Sequence, residues 1–475
     1  MTAAVALGEF VATVEVPDAA LVRARVAVQD TVGVALAGVN ESVSTTLQSQ
    51  AQHETPIGPA RIVGTTRETS AAWAALANGA AAHALDFDDM CWVTMAHPSA
   101  PLVAAGLAAA EVQGATGRRL LEGYVVGFEV AAALGRVMNP RHYENGWHCT
   151  STIGTVAAAA TVARIQGLDT TYSARALSIA ASEASGVKAN FGTMVKPLQV
   201  GLAARNGVLA SQLAARGLTA ADAAIDGPQG FLMAMQSSGT DMTDSLQMLG
   251  AVWEIVEGGI TMKLYPSCAA THPTIDTLVD LKREHDIDPA LVESVEIAVD
   301  PVVPTVLVYD RPETGLEGKF SLHFCAAAAL VRGVVGIETF ERASVTEPEI
   351  RRLVERVTMR VDETLGVEVP PLTQALIHVR MTDGQSFTRA VTGARGYPDR
   401  PPSDDERWAK FRQCAGRVLS DESAQAALTM LERLEGLDSV GRLTASLLPP
   451  STGVTSTAPP SASVAASAPA TTADA

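Results

Sequence analysis

Two histidines and three aspartates lie close together in an otherwise apolar stretch: His83, Asp86, Asp88, Asp89 and His97. Aspartates of this kind commonly cap helices, which is the simplest interpretation. Mixed Asp and His side chains also ligate cations, as in helical enzymes that bind magnesium and a diphosphate. A third interpretation is a metal-free acid–base site in which a carboxylate orients a histidine. The magnesium interpretation needs an aromatic cavity, and aromatic residues make up only 4% of the chain. We therefore expect no metal, and take Asp86 and His97 as candidate catalytic residues.

A second group surrounds the start of a predicted helix and contains Tyr143, His148, Thr150 and Ser151. A helix that begins at Thr150 or Ser151 places His148 and these hydroxyls at its N-terminus, where an anion is favoured. A lone histidine is more often structural. The coincidence of a phenol, an imidazole and a hydroxyl-rich helix start therefore predicts a site.

Lysine is scarce in this chain, which has 35 basic and 52 acidic side chains and a net charge of −17. Lys196 precedes Pro197, which predicts a turn before an alanine-rich helix. Its apolar flanks predict partial burial and a role as a base or a carboxylate anchor. Lys263 and His272 lie where the sequence pattern changes character, and sites often occupy such junctions. Cys268 with His272 resembles no cysteine-protease signature, so a nucleophile–base pair is disfavoured.

The elements that position these residues are mostly helical. Apolar residues recur at helical spacing from Ala19 to about Met262, in alanine-rich runs typical of buried, closely packed helices. After Pro266, alternating patterns predict strands near 295–299, 357–361, 377–381 and 387–391, the last two joined by a turn at Asp383-Gly384. We predict a mainly α protein with a smaller α+β domain.

The predicted parts are a helical domain over 1–264, an α+β domain over 265–403, C-terminal helices over 404–448 that return to the helical domain, and a disordered tail over 449–475. The tail is rich in Ser, Thr, Ala and Pro and has no hydrophobic period.

Composition excludes several classes of protein. An acidic chain with few aromatics is a poor nucleic-acid binder. No apolar run is long enough to predict a membrane span. Five scattered cysteines argue against a disulfide framework and fit a reduced cytoplasm. The N-terminus lacks a basic region typical of a signal peptide. We expect a soluble, cytoplasmic protein.

Five segments, in order, resemble the MmgE/PrpD family: HALDFDDM with HPSAPLVAAGLAAAE, HYENGWHCTSTIGTVAAAA, SGVKANFGTMVKPLQVGLAARNG, KLYPSCAATHPTID and KFSLHFCAAAALVRG. The match extends from about residue 15 to 445. The resemblance implies a large helical domain with an α+β lid domain, a homodimer, and catalysis without metal or organic cofactor.

The family's decarboxylase branch has catalytic or substrate-contacting residues at positions that match Asp86, His97, His148, Lys196 and His272. Two positions depart from that branch: Met90 stands in place of a threonine, and Phe324 in place of an active-site tyrosine. Tyr143 and Lys196 resemble the two-base pair of the family's epimerases. Lys263 and Ser151 are expected to bind substrate.

These activities share one chemical problem, which is to break or form a bond at the carbon next to a carboxylate. A positioned base and a cationic or hydrogen-bonding partner for the developing enolate are needed. We expect a cofactor-independent lyase acting on a small di- or tricarboxylate, with dehydration of the 2-methylcitrate type favoured. Epimerisation of an imino- or amino-dicarboxylate such as iminodisuccinate, and decarboxylation of cis-aconitate, remain alternatives. A non-catalytic role through a dimer surface also remains open.

Overall fold

A computed structural model describes residues 1–370 and 372–450. Within these residues, the helices before residue 265 are α1 (Ala3–Thr13), α2 (Asp18–Gly38), α3 (Ser42–Glu54), α4 (Ala71–His83), α5 (Ser99–Gln113), α6 (Gly117–Met138), α7 (Arg141–Glu144), α8 (Cys149–Gln166), α9 (Thr170–Glu183), α10 (Val195–Ala215), α11 (Phe231–Ala234), α12 (Thr243–Met248) and α13 (Glu254–Glu257). Two short strands that the sequence did not predict, β1 (Ala60–Arg61) and β2 (Glu68–Thr69), pair antiparallel between α3 and α4.

The long helices confirm the helical prediction for this region. Their alanine-rich sequences let the axes approach closely, and α10 packs against both α4 and α8. Helix α5 ends at Gly114, whose φ of +58° is a left-handed cap that glycine adopts without strain. The prediction of a turn at Lys196 was wrong. Lys196 and Pro197 both lie in the first turn of α10, where the missing proline N–H has no helical partner to lose.

The predicted α+β region is confirmed. It contains α14 (His272–His285), β3 (Val292–Val299), α15 (Gly315–Gly318), α16 (Leu322–Arg332), α17 (Arg342–Val345), α18 (Pro348–Val354), β4 (Val357–Val361), β5 (Gln374–Met381) and β6 (Ser386–Thr392). The strand order is β4-β3-β5-β6, with β3 and β4 parallel and the other neighbours antiparallel. Val295, Ile297, Ile377 and Val379 are buried side chains of the two central strands, and α14 and α16 pack against the sheet.

The last described helices are α19 (Asp404–Ala415), α20 (Asp421–Glu432) and α21 (Val440–Ser446). Helices α19 and α20 pack against α2, and α21 packs against α5. The domain boundaries at 264 and 403 remain our proposal. The predicted disordered tail lies outside the described residues from position 451 onward. None of the described helices is long and apolar enough to cross a membrane.

Candidate active site

The loop that follows α4 is held by three buried lysines from distant parts of the chain. Lys319 donates to the carbonyl of Leu85 at 2.7 Å, Lys263 to that of Asp86 at 3.0 Å, and Lys410 to that of Phe87 at 2.9 Å. Asp86 itself has a φ of +52°, a left-handed conformation that few residues other than glycine adopt readily. Three ammonium groups on three successive carbonyls therefore fix the shape of this loop.

The Asp86 carboxylate lies between two of the chain's lysines. One oxygen accepts from Lys196, and the other accepts from Lys263 at 2.9 Å. Burial by itself raises the pKa of Asp86, but the positive charges of Lys196 and Lys263 outweigh it and hold that pKa well below the usual range. Asp86 is therefore ionised and neutralises part of the charge of both lysines.

His83, the last residue of α4, joins Lys196 to a second carboxylate. Its Nε2 lies 2.7 Å from Lys196 Nζ, and its Nδ1 lies 2.7 Å from an oxygen of Asp88. Burial and the neighbouring Lys196 charge lower the pKa of His83 well below its usual range. The imidazole is neutral at pH 7. The carboxylate that contacts His83 is thus Asp88.

Three further histidines present buried ring nitrogens without a hydrogen-bond partner among the described residues. They are His97 through Nδ1, His148 through Nε2 and His272 through Nδ1. Their other ring contacts are protein groups: His148 Nδ1 lies 2.7 Å from Gln199 Oε1, and His272 Nε2 lies 3.2 Å from the Ser267 carbonyl. A buried polar atom without a partner is costly, so a bound ligand is the natural partner for the His148 and His272 nitrogens, whereas His97 Nδ1 lies 3.6 Å from Asp88 Oδ2.

The site residues from the separate sequence motifs come together. The His83 ring centroid lies 4.6 Å from that of His97 and 6.0 Å from that of His148. Phe191 contacts His148 edge-on, and Lys196 Nζ lies 5.1 Å from the ring centroids of both Phe191 and Phe320. His272 packs edge-on against Tyr265 at 5.2 Å.

Helix termini point into this cluster. His97 lies just before α5, His148 is the N-cap of α8, Lys196 is in the first turn of α10, and His272 is the first residue of α14. The N-terminal ends of four helices thus carry these residues, and their partial positive charge favours anions.

Tyr143 and Ser151 occupy the same neighbourhood with different surroundings. Tyr143 is buried, and Lys188 Nζ lies 3.7 Å from its ring centroid. Burial, with the charge of Asp86 among lesser causes, raises the pKa of the Tyr143 phenol well above its usual range. Ser151 donates to the Gln199 carbonyl at 3.0 Å, so its hydroxyl hydrogen already has a partner.

The two departures from the decarboxylase pattern have different surroundings. Met90 is buried, and its backbone pairs with Thr261 through an isolated bridge. Phe324 is fully buried and packs edge-on against Phe340 at 5.8 Å. Phe340 in turn lies beneath Lys319, 4.7 Å from its Nζ. Position 324 is therefore filled by an apolar ring packed in the core.

The balance of charge at the site is positive. Burial raises the pKa of Asp88 to about 7 and that of Asp89 to about 8, so near pH 7 these two carboxyls carry much less than two charges. Burial lowers the pKa of Lys319 to about 8, which leaves it mostly charged. Three ammonium groups, on Lys196, Lys263 and Lys319, therefore face one fully ionised carboxylate, Asp86.

Four of the residues could geometrically surround a metal ion: His83, Asp86, Asp88 and His97, whose ligand atoms lie within 4.8 Å of one another. However, Lys196 Nζ already contacts both His83 Nε2 and Asp86. An ammonium group at this place repels a second cation. The residues present therefore do not fit a metal site.

Fold and site together define a helical protein with an α+β region and a positively charged, histidine-lined site suited to a small polyanion. Comparison with known families agrees. Residues 5–243 match the MmgE/PrpD N-terminal domain, and residues 265–436 match the MmgE/PrpD C-terminal domain. The chain belongs to the MmgE/PrpD family.

Curated relatives are similar over most of their length. Cis-aconitate decarboxylase of Mus musculus is 29% identical over 395 residues, covering 80% of this chain and 79% of the relative. The Homo sapiens cis-aconitate decarboxylase is 28% identical, with 80% of each chain covered. The Aspergillus terreus cis-aconitate decarboxylase is 25% identical and covers 92% of this chain and 94% of its own. These relatives are lyases, in agreement with the enzyme class expected from the sequence.

Several residues at the site were not predicted from the sequence. His83, Asp88, Gln199 and Lys319 had no assigned role, although His83 and Asp88 belong to the first cluster and Lys319 is one of the scarce lysines. That scarcity was the available signal, because Lys196, Lys263, Lys319 and Lys410 are all buried.

Proposed function

We propose that this chain is a cofactor-independent lyase that acts on a small tricarboxylate, and that decarboxylation of cis-aconitate or a close analogue is its reaction. The observation that carries the proposal is the convergence of Lys196 and Lys263 on Asp86 beside His97 and His148, with Lys196 and His148 at helix N-termini. The names of the relatives support the choice of reaction.

The electrostatics favour a substrate with several carboxylates. A protein of net charge −17 repels anions over most of its surface, so local cations must outweigh that field. Lys196, Lys263 and Lys319 supply them, and Asp86 offsets only one charge. A substrate with two or three carboxylates completes the neutralisation.

The proton needed for decarboxylation comes from an ammonium group. Burial lowers the pKa of His148 and His97 well below the usual range, so both are neutral near pH 7 and act as bases or hydrogen-bonding groups. Lys196 is the cation next to them. The π pair of the substrate alkene forms a new C–H bond with a proton from Lys196 Nζ, the bond between the allylic carbon and its carboxylate breaks, and that electron pair forms the shifted double bond as carbon dioxide leaves.

Dehydration, which the sequence analysis favoured, is the second candidate. Met90 and Phe324 depart from the decarboxylase pattern, and this observation keeps it open. Epimerisation with Tyr143 and Lys196 as the two acid–base groups uses the same pocket and is the third.

Proton NMR of the chelator-treated protein in D₂O separates these reactions. The substrate panel is cis-aconitate, 2-methylcitrate, citrate and the iminodisuccinate stereoisomers. Loss of carbon dioxide from cis-aconitate supports the proposal, alkene formation from a hydroxy acid supports a dehydratase, and deuterium at an α-carbon with stereoisomer exchange supports an epimerase. Turnover that requires added magnesium contradicts the metal-free site. No reaction across the panel contradicts the proposed substrate class.

The homodimer and the cytoplasmic location expected from the sequence remain predictions. Size-exclusion chromatography with light scattering tests the first: a mass of twice the 49.4 kDa chain supports the dimer.

A further inference from the structure

Asp88 lies between two histidines of the site. One of its carboxylate oxygens, Oδ2, lies 2.7 Å from His83 Nδ1 and 3.6 Å from His97 Nδ1. The other, Oδ1, is buried without a partner among the described residues, as is His97 Nδ1. A displacement of well under 1 Å would bring His97 into hydrogen-bond range of the carboxylate that His83 already uses.

The contact between Lys196 and His83 fixes which ring nitrogen carries the proton. An ammonium group only donates, so His83 Nε2 must accept from Lys196. Neutral His83 then carries its hydrogen on Nδ1 and donates it to Asp88. His97 offers its own Nδ1 toward the same oxygen, which leaves His97 Nε2, 3.9 Å from Asp86 Oδ1, as its free acceptor.

We propose that Asp88 is a shared positioning residue: one carboxylate that orients both His83, which holds Lys196, and His97, which presents its Nε2 as an acceptor at the site. No substrate C–H bond breaks in the proposed decarboxylation, in which Lys196 supplies the proton, so His97 Nε2 serves there as a hydrogen-bond acceptor that can itself be protonated. Ionised Asp88 offsets the charge of the imidazolium through Nδ1. The role of His97 rests on the proposed function, whereas the sharing of Asp88 rests on geometry alone.

The charge of Asp88 is set by groups from several elements. Asp88 is faced by charged and titratable groups from five other places in the chain and from its own loop. They are His83 on α4, His97 before α5, Lys196 on α10, Lys263 before α14, Asp30 on α2, and Asp86 and Asp89 on its own loop. Burial raises the pKa of Asp88 to about 7, so its ionisation falls within the physiological range. Turnover that depends on ionised Asp88 should rise with pH through about 7.

Asp88→Asn removes the negative charge but keeps the size of the side chain. The amide oxygen can still accept from His83 Nδ1, and the amide does not ionise. The matched control is Asp89→Asn, since Asp89 is an equally buried neighbour that contacts Ser99 and not the histidines. We expect Asp88→Asn to lower kcat by roughly 10²-fold with little change in KM, and to abolish the rise near pH 7. Asp89→Asn should retain that rise. A pH profile that is unchanged in Asp88→Asn overturns the proposal.

A measurement without substrate keeps the inference independent of the reaction. In protein labelled with ¹⁵N-histidine, the ring nitrogens of both His83 and His97 should shift together near pH 7 in the wild type and in Asp89→Asn, but not in Asp88→Asn. If the ring nitrogens of His83 and His97 do not shift together near pH 7 in the wild type, the inference is overturned even if Asp88→Asn fails to fold. If the two histidines shift together but the substrate panel gives no turnover, the proposed function is contradicted, whereas the sharing of Asp88 by His83 and His97 is still supported.

Discussion

Lys196 Nζ lies 2.7 Å from His83 Nε2, although 113 positions separate the two residues in the chain. His83 ends α4 and Lys196 begins α10, so the contact depends on how closely these helices pack. Gly201 of α10 lies against the Leu76 carbonyl of α4, and Gly79 of α4 lies opposite Gly201. Small residues at the crossing therefore set the distance between the two functional side chains.

Gly201→Ala should disturb this crossing. A Cβ at position 201 would lie 2.3 Å from the Leu76 carbonyl oxygen, so the helices must move apart. We expect a lower melting temperature, corresponding to about 1–3 kcal/mol, together with reduced turnover. Gly441→Ala is the control, since a Cβ there meets nothing closer than Ser439 Oγ at 3.5 Å. Equal melting temperatures for Gly201→Ala and the wild type would contradict the close packing.

Much of the fold could be predicted from the sequence because local signals were strong. Helices α2, α5, α6 and α8 follow apolar spacing, and the four strands of the α+β region follow alternation. The two-residue strands β1 and β2 were missed because so short a segment has no period to detect.

Many residues of the candidate site could be selected from the sequence, but the contacts between them could not be predicted. Asp86, His97, His148, Lys196 and Lys263 were all selected, since charged residues in apolar surroundings require partners. Which carboxylate meets which cation could not be predicted, because the left-handed backbone at Asp86 determines where the side chains of the loop point. For the same reason the sequence did not single out Asp88 as the carboxylate that contacts His83.

Lys196→Ala and His148→Ala should each lower turnover by roughly 10²-fold or more. Lys196→Ala should also lose stability, because it removes one partner of the buried Asp86 pair, so turnover is compared at a temperature where both variants are folded. Lys196 is the proton donor of the proposed reaction, and His148 offers an unpartnered Nε2 to the substrate. Steady-state kinetics with circular dichroism measures both effects. His378→Ala is the control, since His378 lies on strand β5 and its side chain bonds to Thr388. Wild-type turnover in both site variants would contradict the assignment of the site.

Lys263→Met should destabilise the protein. Lys263 is fully buried and donates to both the carboxylate and the carbonyl of Asp86. Removing one partner of a buried ion pair typically costs about 3–5 kcal/mol, so we expect a clearly lower melting temperature. Lys282→Met is the matched control, because Lys282 is only partly buried and donates to the Ile287 carbonyl at 3.2 Å. A similar decrease in melting temperature in both variants would mean that the ion pair between Lys263 and Asp86 contributes no more to stability than the contact of Lys282.

Asp89 should make the stability of the protein depend on pH. Burial raises its pKa from 3.8 to about 8 in the folded protein, and the carboxyl contacts Ser99, whose hydroxyl lies 2.6 Å from that of Tyr124. Between pH 4 and pH 8 the folded protein therefore retains a proton that the unfolded chain has released. By linkage, this contribution to stability falls as pH rises through that window, by up to about 1.4 kcal/mol per pH unit.

Asp89→Asn removes the titrating group while the amide can still bond to Ser99. The free energy of unfolding of Asp89→Asn relative to the wild type should therefore increase from pH 5 to pH 8 and level off above pH 8. Other buried groups contribute to the absolute curves, but they largely cancel in this difference. Asp222→Asn, at an exposed position, should give no such trend. A difference between Asp89→Asn and the wild type that is flat from pH 5 to pH 8 would mean that folded Asp89 titrates like an exposed carboxylate.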